Sequence, residues 1–279
     1  MIDFTEGKVV DEVYRFVVYF DATNCIPNMG SDGNYNLLSD ERYYITPACI
    51  KHKIRNYLQY MGRDVLHIDL KDQENKTIKE RLIGKEKISK YTSEELFKME
   101  CEYEDIRMFG TMDVAGDMKV RGKVAAPITI SMPMTLDKVN IIEGRGSRSY
   151  SVDTREDGSN KGSSYNNQYW FIEYGLFEMK GGINLSHVPH YGLLESDVDD
   201  FFEAIWHMFD IDSSTFRPDS SMKIRKMIVW KYRPDIQQKE DLSLLESPIY
   251  TKSNKLVTGF GSYEYHEPSK NENVKIYIR

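Results

Sequence analysis

Ten residues near the start, Glu12–Asp21 (EVYRFVVYFD), alternate as an extended chain whose two faces are both largely apolar. Val13, Arg15, Val17 and Tyr19 line one face; Tyr14, Phe16, Val18 and Phe20 line the other. Such a run reads as a buried strand. The chain then turns polar at once, in FDATNCIPNMGSDGN (Phe20–Asn34), a stretch crowded with turn-formers and amide side chains. Four readings of that loop compete: a metal site, a phosphate cradle, a nucleic-acid clamp, and a plain Asx-turn.

The segment TPACIKHKIRNYLQYMG reads as a helix, with Thr46 as cap, Pro47 in the first turn and Gly62 as terminator. Ile50, Ile54, Tyr57, Leu58 and Met61 form its apolar stripe. Lys51 and Arg55 stand one turn apart on another side with His52 nearby, and no acid interrupts that face. Two cations at this spacing suit successive phosphates of one strand, against the plainer reading of a solvated face. Residues 63–104 are charged and weakly patterned, as expected of an inserted helical lobe. A short strand is expected at Asp105–Val114 and an extended stretch at Met118–Met132, with Lys119, Arg121 and Lys123 along one face. Residues 133–168, rich in Gly, Ser and Asn, read as a projection carrying Arg145 and Arg148. Strand character returns in NQYWFIEYGLFEMKGGIN. A second helix follows in ESDVDDFFEAIWHMFD, with Ser196 and Asp199 as capping box, and then a strand at Lys223–Tyr232. Trp170, Trp206 and Trp230 read as packing residues. Setting the insertions aside, the order is βαββαβ, an α+β pattern shared by ferredoxin-like and RRM-like modules.

A chain of 279 residues with a formal charge of −7 and a pI near 5.5 cannot carry a basic sheath, so any nucleic-acid site is a local patch. Cys25, Cys49 and Cys101 are far apart and form no CxxC pair, which argues against a disulfide framework and a zinc site. No signal-peptide pattern and no membrane-length apolar run is present, so a cytoplasmic protein without metal or cofactor is expected. Asp21, Asp32 and Asp40 leave open a metal-dependent nuclease, although their spacing is unconvincing for ligands.

FDATNCIPN, TPACIKHKIRNYL, DIRMFG, KVRGKV, DKVNIIEGRGSRSY, YGLFEMKGGIN, SDVDDFFEAIWHMF and MKIRKMIVWKY, taken in order over Val13–Tyr232, resemble the backbone subunit of the CRISPR-associated Cascade complex, the "Cas-seven" family. The type I-B branch is the nearer likeness and type I-C the second. Departures are Cys25 and Ile26 in the first loop, MGSDG after it, Gly122–Ala125 in place of GPVQ, and MPMTL (Met132–Leu136). The resemblance implies a right-hand shape: a ferredoxin-like, RRM-like palm (1–62, 105–111 and 168–234), a fingers insertion (63–104), a β-hairpin thumb (112–167) and a C-terminal extension (235–279).

It further implies a non-catalytic subunit that polymerises along CRISPR RNA in antiviral defence. Its partners would be neighbouring copies, the large subunit, the 5′-handle-binding subunit and target DNA. Expected RNA contacts are Asn24, Asn28, Lys51, His52, Arg55, Arg107, Lys119, Arg121, Lys123, Arg145 and Arg148. From its sequence setting alone, Arg107 could equally pair with a core acid. Met132, Met134 and Leu136 are candidates for a wedge between bases, or for packing on the next subunit. Lys85, Lys87 and Lys90 are candidates for target DNA. The competing class is a metal-dependent endoribonuclease using Asp21 or Asp32.

Overall fold

The computed structural model describes residues 7–30, 33–68, 77–110, 126–146, 167–235, 249–251, 257–268 and 274–279. Strand β1 (Val13–Cys25) divides it into two layers. On one side Tyr14, Phe16, Val18, Phe20 and Ala22 share a buried cluster with two helices. Helix α1 (Pro47–Tyr60) contributes Ile50, Ile54 and Leu58; helix α6 (Glu195–His207) contributes Val198, Phe201, Ala204 and Ile205. Phe16 meets Phe201 and Phe202 edge-on, each at 5.5 Å, and Phe20 stacks on Phe177 at 5.1 Å. On the other side Val17 and Tyr19 join Tyr174, Leu176, Ile228 and Trp230. Each such buried side chain stabilises the fold by about 1.5–3 kcal/mol before entropy is counted.

β1 is antiparallel to both its neighbours, β5 (Asn167–Ile183) and β6 (Met222–Tyr232). Beyond β6 lies β9 (Val274–Ile278). The far side of β5 takes three short strands in turn: β2 (Ile128–Ile130), β3 (Met134–Thr135) and β4 (Ile141–Gly146). Residues 128–146 therefore run down β5 as one interrupted edge strand. Pro133 sits at the first interruption, where it lacks an N–H for the ladder and its carbonyl instead accepts from Ile45 N at 2.9 Å. The order β2-β5-β1-β6-β9 makes a mixed α/β molecule on an antiparallel sheet. A separate pair, β7 (Ile249–Thr251) and β8 (Tyr263–Tyr265), adds Ile249 and Tyr263 to the second face.

The described residues between α1 and β2 include the short α-helices α2 (Ile78–Ile83), α3 (Ser93–Cys101) and α4 (Glu104–Phe109). A further turn, α5 (Val188–Tyr191), precedes α6. Helices α2 and α3 fall within residues 63–104.

Three expectations are corrected. Residues 105–109 are helical rather than a strand. Glu104, Asp105, Ile106, Met108 and Phe109 are all buried, so α4 lacks the one-sided stripe by which a helix is read from sequence. Gly110, at φ 70°, ends it. Residues 128–146, assigned to the projecting thumb, are strands of the central sheet. The cap of α6 is also not Ser196. The Asp197 carboxylate accepts from Leu194 N at 2.9 Å, which places the cap at Leu194, two residues earlier than Ser196 with Asp199 would have placed it.

Candidate nucleic-acid interface

The first loop is held by its own amides. The Asn28 side-chain oxygen accepts from Thr46 N (3.0 Å) and Thr46 Oγ1 (3.2 Å), and its backbone carbonyl accepts from Asn36 Nδ2 (3.2 Å) and the Tyr43 hydroxyl. Thr46 in turn caps α1 by accepting from Cys49 N at 3.3 Å. Trp170 Nε1 donates to the Gly33 carbonyl at 3.1 Å. The Asn28 amide thus ties the loop after β1 to the start of α1. Asn24 is exposed at the loop's root, in a left-handed conformation (φ 49°) that asparagine tolerates.

Lys51 and Arg55 do share a flank of α1. Both lie over the Phe109 ring, Lys51 Nζ at 5.0 Å and the Arg55 guanidinium carbon at 5.3 Å from its centroid. Arg55 Nε donates to Asp105 Oδ2 at 2.8 Å, across a pair whose side chains are 14% and 0% exposed. Asp105 also accepts from Leu66 N (2.8 Å) and His67 N (3.2 Å). Burial alone would raise the Asp105 carboxyl. The hydrogen bonds of His67 and Leu66 and the Arg55 guanidinium outweigh it and hold the group below the usual carboxylate range. Lys51 differs: burial, and then the Arg55 charge beside it, push its ammonium below the ordinary lysine value. An anion arriving at Lys51 would relieve both effects. His52, on the same helix, is exposed.

The chain returns to this corner. A Cβ placed on Gly110 would stand 3.5 Å from the Ala126 Cβ, so the two residues that flank 111–125 lie side by side next to Phe109. That stretch contains Lys119, Arg121 and Lys123, which lie outside the described residues, as do Arg148 and Asp32. Arg145 falls in β4, its backbone paired with Gln168. The β4–β5 end and the Ala126 end are separated by the length of β5, residues 167–183, which would span about 50 Å if straight. Among the described residues, Lys51 and Arg55 therefore lie near the Ala126 end and the Arg145 backbone at the β4 end.

Arg107 is taken by the core. It grips Asp197 through Nε (2.8 Å) and Nη2 (2.6 Å), and donates to the carbonyls of Cys101 (3.1 Å) and Glu102 (2.8 Å). Of the wedge candidates, Met132 is exposed; Met134 is a strand residue of β3 and Leu136 packs on the second cluster. The backbones of both are paired with β5. Lys85 and Lys87 are exposed, and Lys90, also exposed, pairs with Glu86. Asp21 is buried and bound by Arg225 Nε (2.8 Å) and the Tyr174 hydroxyl (3.2 Å). Asp40 pairs with Arg42 at 2.7 Å on the surface. The acid cluster Asp11, Glu12 and Glu195 is met by Lys8 and Lys231.

Sequence reading missed Asp105, His67 and Phe109 as parts of this corner, because α4 was taken for a strand. It also missed Lys53, which is 2% exposed and paired with Asp212, because a lysine beside His52 resembles a surface residue.

The fold resembles that of solved nucleic-acid-guided assemblies. One chain, from a "CRISPR RNA-guided surveillance complex, pre-nicking", matches with TM-score 0.53 and 11% identity over 80% of this chain and 77% of that one. A chain from a "CRISPR RNA-guided surveillance complex" gives 0.44 and 13% identity over 77% and 68%. No curated protein sequence matches the chain. The model of the family described as CRISPR-associated protein Cas7 matches residues 12–278, and the chain belongs to that family. Among the described residues no helix is long and apolar enough to cross a membrane.

Proposed function

We propose that the chain is a non-catalytic backbone subunit that binds CRISPR RNA and polymerises along it in a type I Cascade surveillance complex, of the I-B branch before I-C. Family membership supports this reading. So does the sheet order β6-β1-β5-β2 with α1 and α6 on one face, which is the arrangement of a ferredoxin-like palm once β2–β4 count as one strand. The lobe of α2 and α3 serves as fingers, and its exposed Lys85 and Lys87 would face target DNA. The thumb would fall within residues 112–167, of which β2, β3 and β4 pair with β5. Neighbouring copies, the large subunit and the 5′-handle-binding subunit are the further partners.

The observation that carries the proposal is the Lys51–Arg55 pair on Phe109, beside Gly110 and Ala126, the residues that flank the segment containing Lys119, Arg121 and Lys123. These cations would hold phosphates without regard to sequence.

Lys51→Ala is the cleaner test, because Arg55 also neutralises buried Asp105. Binding of single-stranded RNA should weaken equally for all sequences. The slope of log affinity against log salt should flatten by about 0.7–1 unit. Light scattering should show RNA-dependent growth of large assemblies by the wild type, reduced in the variant. An unchanged slope would remove α1 from the site.

Labelled RNA incubated with magnesium is expected to stay intact. Cleavage products that vanish on Asp32→Ala would establish the endoribonuclease instead. Asp21, buried and bound to Arg225, is a poor metal ligand.

A further inference from the structure

Glu104 opens α4 and is 5% exposed, and one of its carboxylate oxygens has no hydrogen-bond partner. Asp197 and Asp200 face it from α6, Arg107 from its own helix, and Arg63 from the segment after α1. Arg107 is committed to Asp197. Arg63 is committed to Asp200, with Nε and Nη2 each at 2.9 Å from a carboxylate oxygen. With every group ionised, the cluster holds three carboxylates against two guanidiniums, one negative charge in excess. A proton on Glu104 removes that excess and gives it a donor for Asp200. Burial first, then Asp200 and Asp197, push its carboxyl up to about 8, against the pull of Arg107.

The position of this residue matters because of what α4 carries. Glu104 N donates to the Asp64 carbonyl at 3.0 Å, Asp105 holds Arg55, and Phe109 backs both Lys51 and Arg55.

We propose that Glu104 is a proton-held latch: its neutral carboxyl docks α4 against α1 and α6, and loss of the proton favours release of α4 and of the Phe109 backing under Lys51 and Arg55. The effect on RNA rests on the reading given above; the latch itself does not. In the released form Glu104 meets water and titrates near its ordinary 4.5. The docked form therefore holds a proton that the open form lacks, throughout the interval from 4.5 to about 8. Docking is fully favoured below that interval and weakens as pH rises through it. The opening equilibrium grows tenfold per pH unit inside it, or about 20- to 30-fold between pH 6 and pH 7.5.

Amide hydrogen exchange on the full chain without RNA, corrected for intrinsic rates, tests the latch. Protection of the α4 amides in the wild type should fall by that factor between the two pH values. In Glu104→Gln, whose neutral amide can still donate to Asp200, it should stay constant. Equal wild-type protection at both pH values overturns the latch, as does a Gln variant less protected than wild type at pH 6. RNA affinity of the same two proteins should fall with pH only in the wild type, and equal falls overturn the coupling to the site. Absence of any RNA binding, with the pH-dependent protection intact, would refute the RNA reading and leave the latch standing.

Discussion

Chemical denaturation of an Arg107→Ala chain is expected to show a loss of about 3–5 kcal/mol. The side chains of Arg107 and Asp197 are 15% and 3% exposed. Removing the guanidinium leaves a buried carboxylate without its counter-ion and takes donors from the Cys101 and Glu102 carbonyls. The damage extends to α6, because the same carboxylate caps Leu194 N. Glu104 then faces Asp197 and Asp200 with one cation fewer. Replacing both partners by apolar residues, Arg107→Met with Asp197→Leu, should recover more than half of the loss, since no charge is then buried unpaired. The lost cap accounts for about 1 kcal/mol of what remains. The opposing reading, in which Arg107 reaches RNA, predicts the reverse: little change in stability and a flatter salt dependence of RNA binding. A loss below about 1 kcal/mol would mean that the pair is solvated.

The frame of the molecule was legible where burial is one-sided or two-sided over a long run. β1 announces itself by two apolar faces. α1 and α6 announce themselves by stripes that the structure places against Phe16 and Phe20. α4 was illegible for the opposite reason: six residues buried almost all round show no period, and a run such as DIRMF reads equally well as a strand. That single error hid the corner, since Asp105 and Phe109 touch α1 only from a helix. The pairing of Met134–Thr135 and Ile141–Gly146 with β5 was not legible because Gly- and Pro-rich sequence marks interruptions without saying whether the pieces between them pair. Ile128–Ile130 lies within the stretch Met118–Met132 that reads as extended; Met134–Thr135 is too short to be read as a strand, yet β5 is long enough to pair with both. Charge was legible in kind but not in use. Lys51 and Arg107 look alike in sequence; one lacks an acid beside it and the other is gripped by Asp197, a residue 90 positions away.

Gly181→Ala is expected to cost about 3 kcal/mol, at the upper end for adding one methyl group to a packed site. The new Cβ would lie 2.2 Å from Phe16 Cζ and 2.5 Å from the Thr129 carbonyl oxygen. Phe16 cannot swing away, because Phe201 and Phe202 box it in. The Thr129 carbonyl is main chain of β2, fixed on β5 by the ladder and by Ser131 N donating to Lys180 O at 2.7 Å. Relief therefore requires β2 to move off β5. Gly144→Ala supplies the control. Its Cβ would meet the Tyr169 ring at 2.7 Å, also a collision, but that ring is 37% exposed and can rotate into solvent, so the cost should stay under about 1 kcal/mol. Urea unfolding of the two variants distinguishes a clash with backbone from a clash with a yielding side chain. Since β2 begins two residues after Ala126, Gly181→Ala should also disturb the Ala126 corner beside Gly110 and weaken RNA binding, which Gly144→Ala, near the other end of β5, should not do at that corner. Equal costs for the two substitutions would mean that β2 yields as readily as an exposed tyrosine, and that the Lys51 corner is not anchored through the sheet.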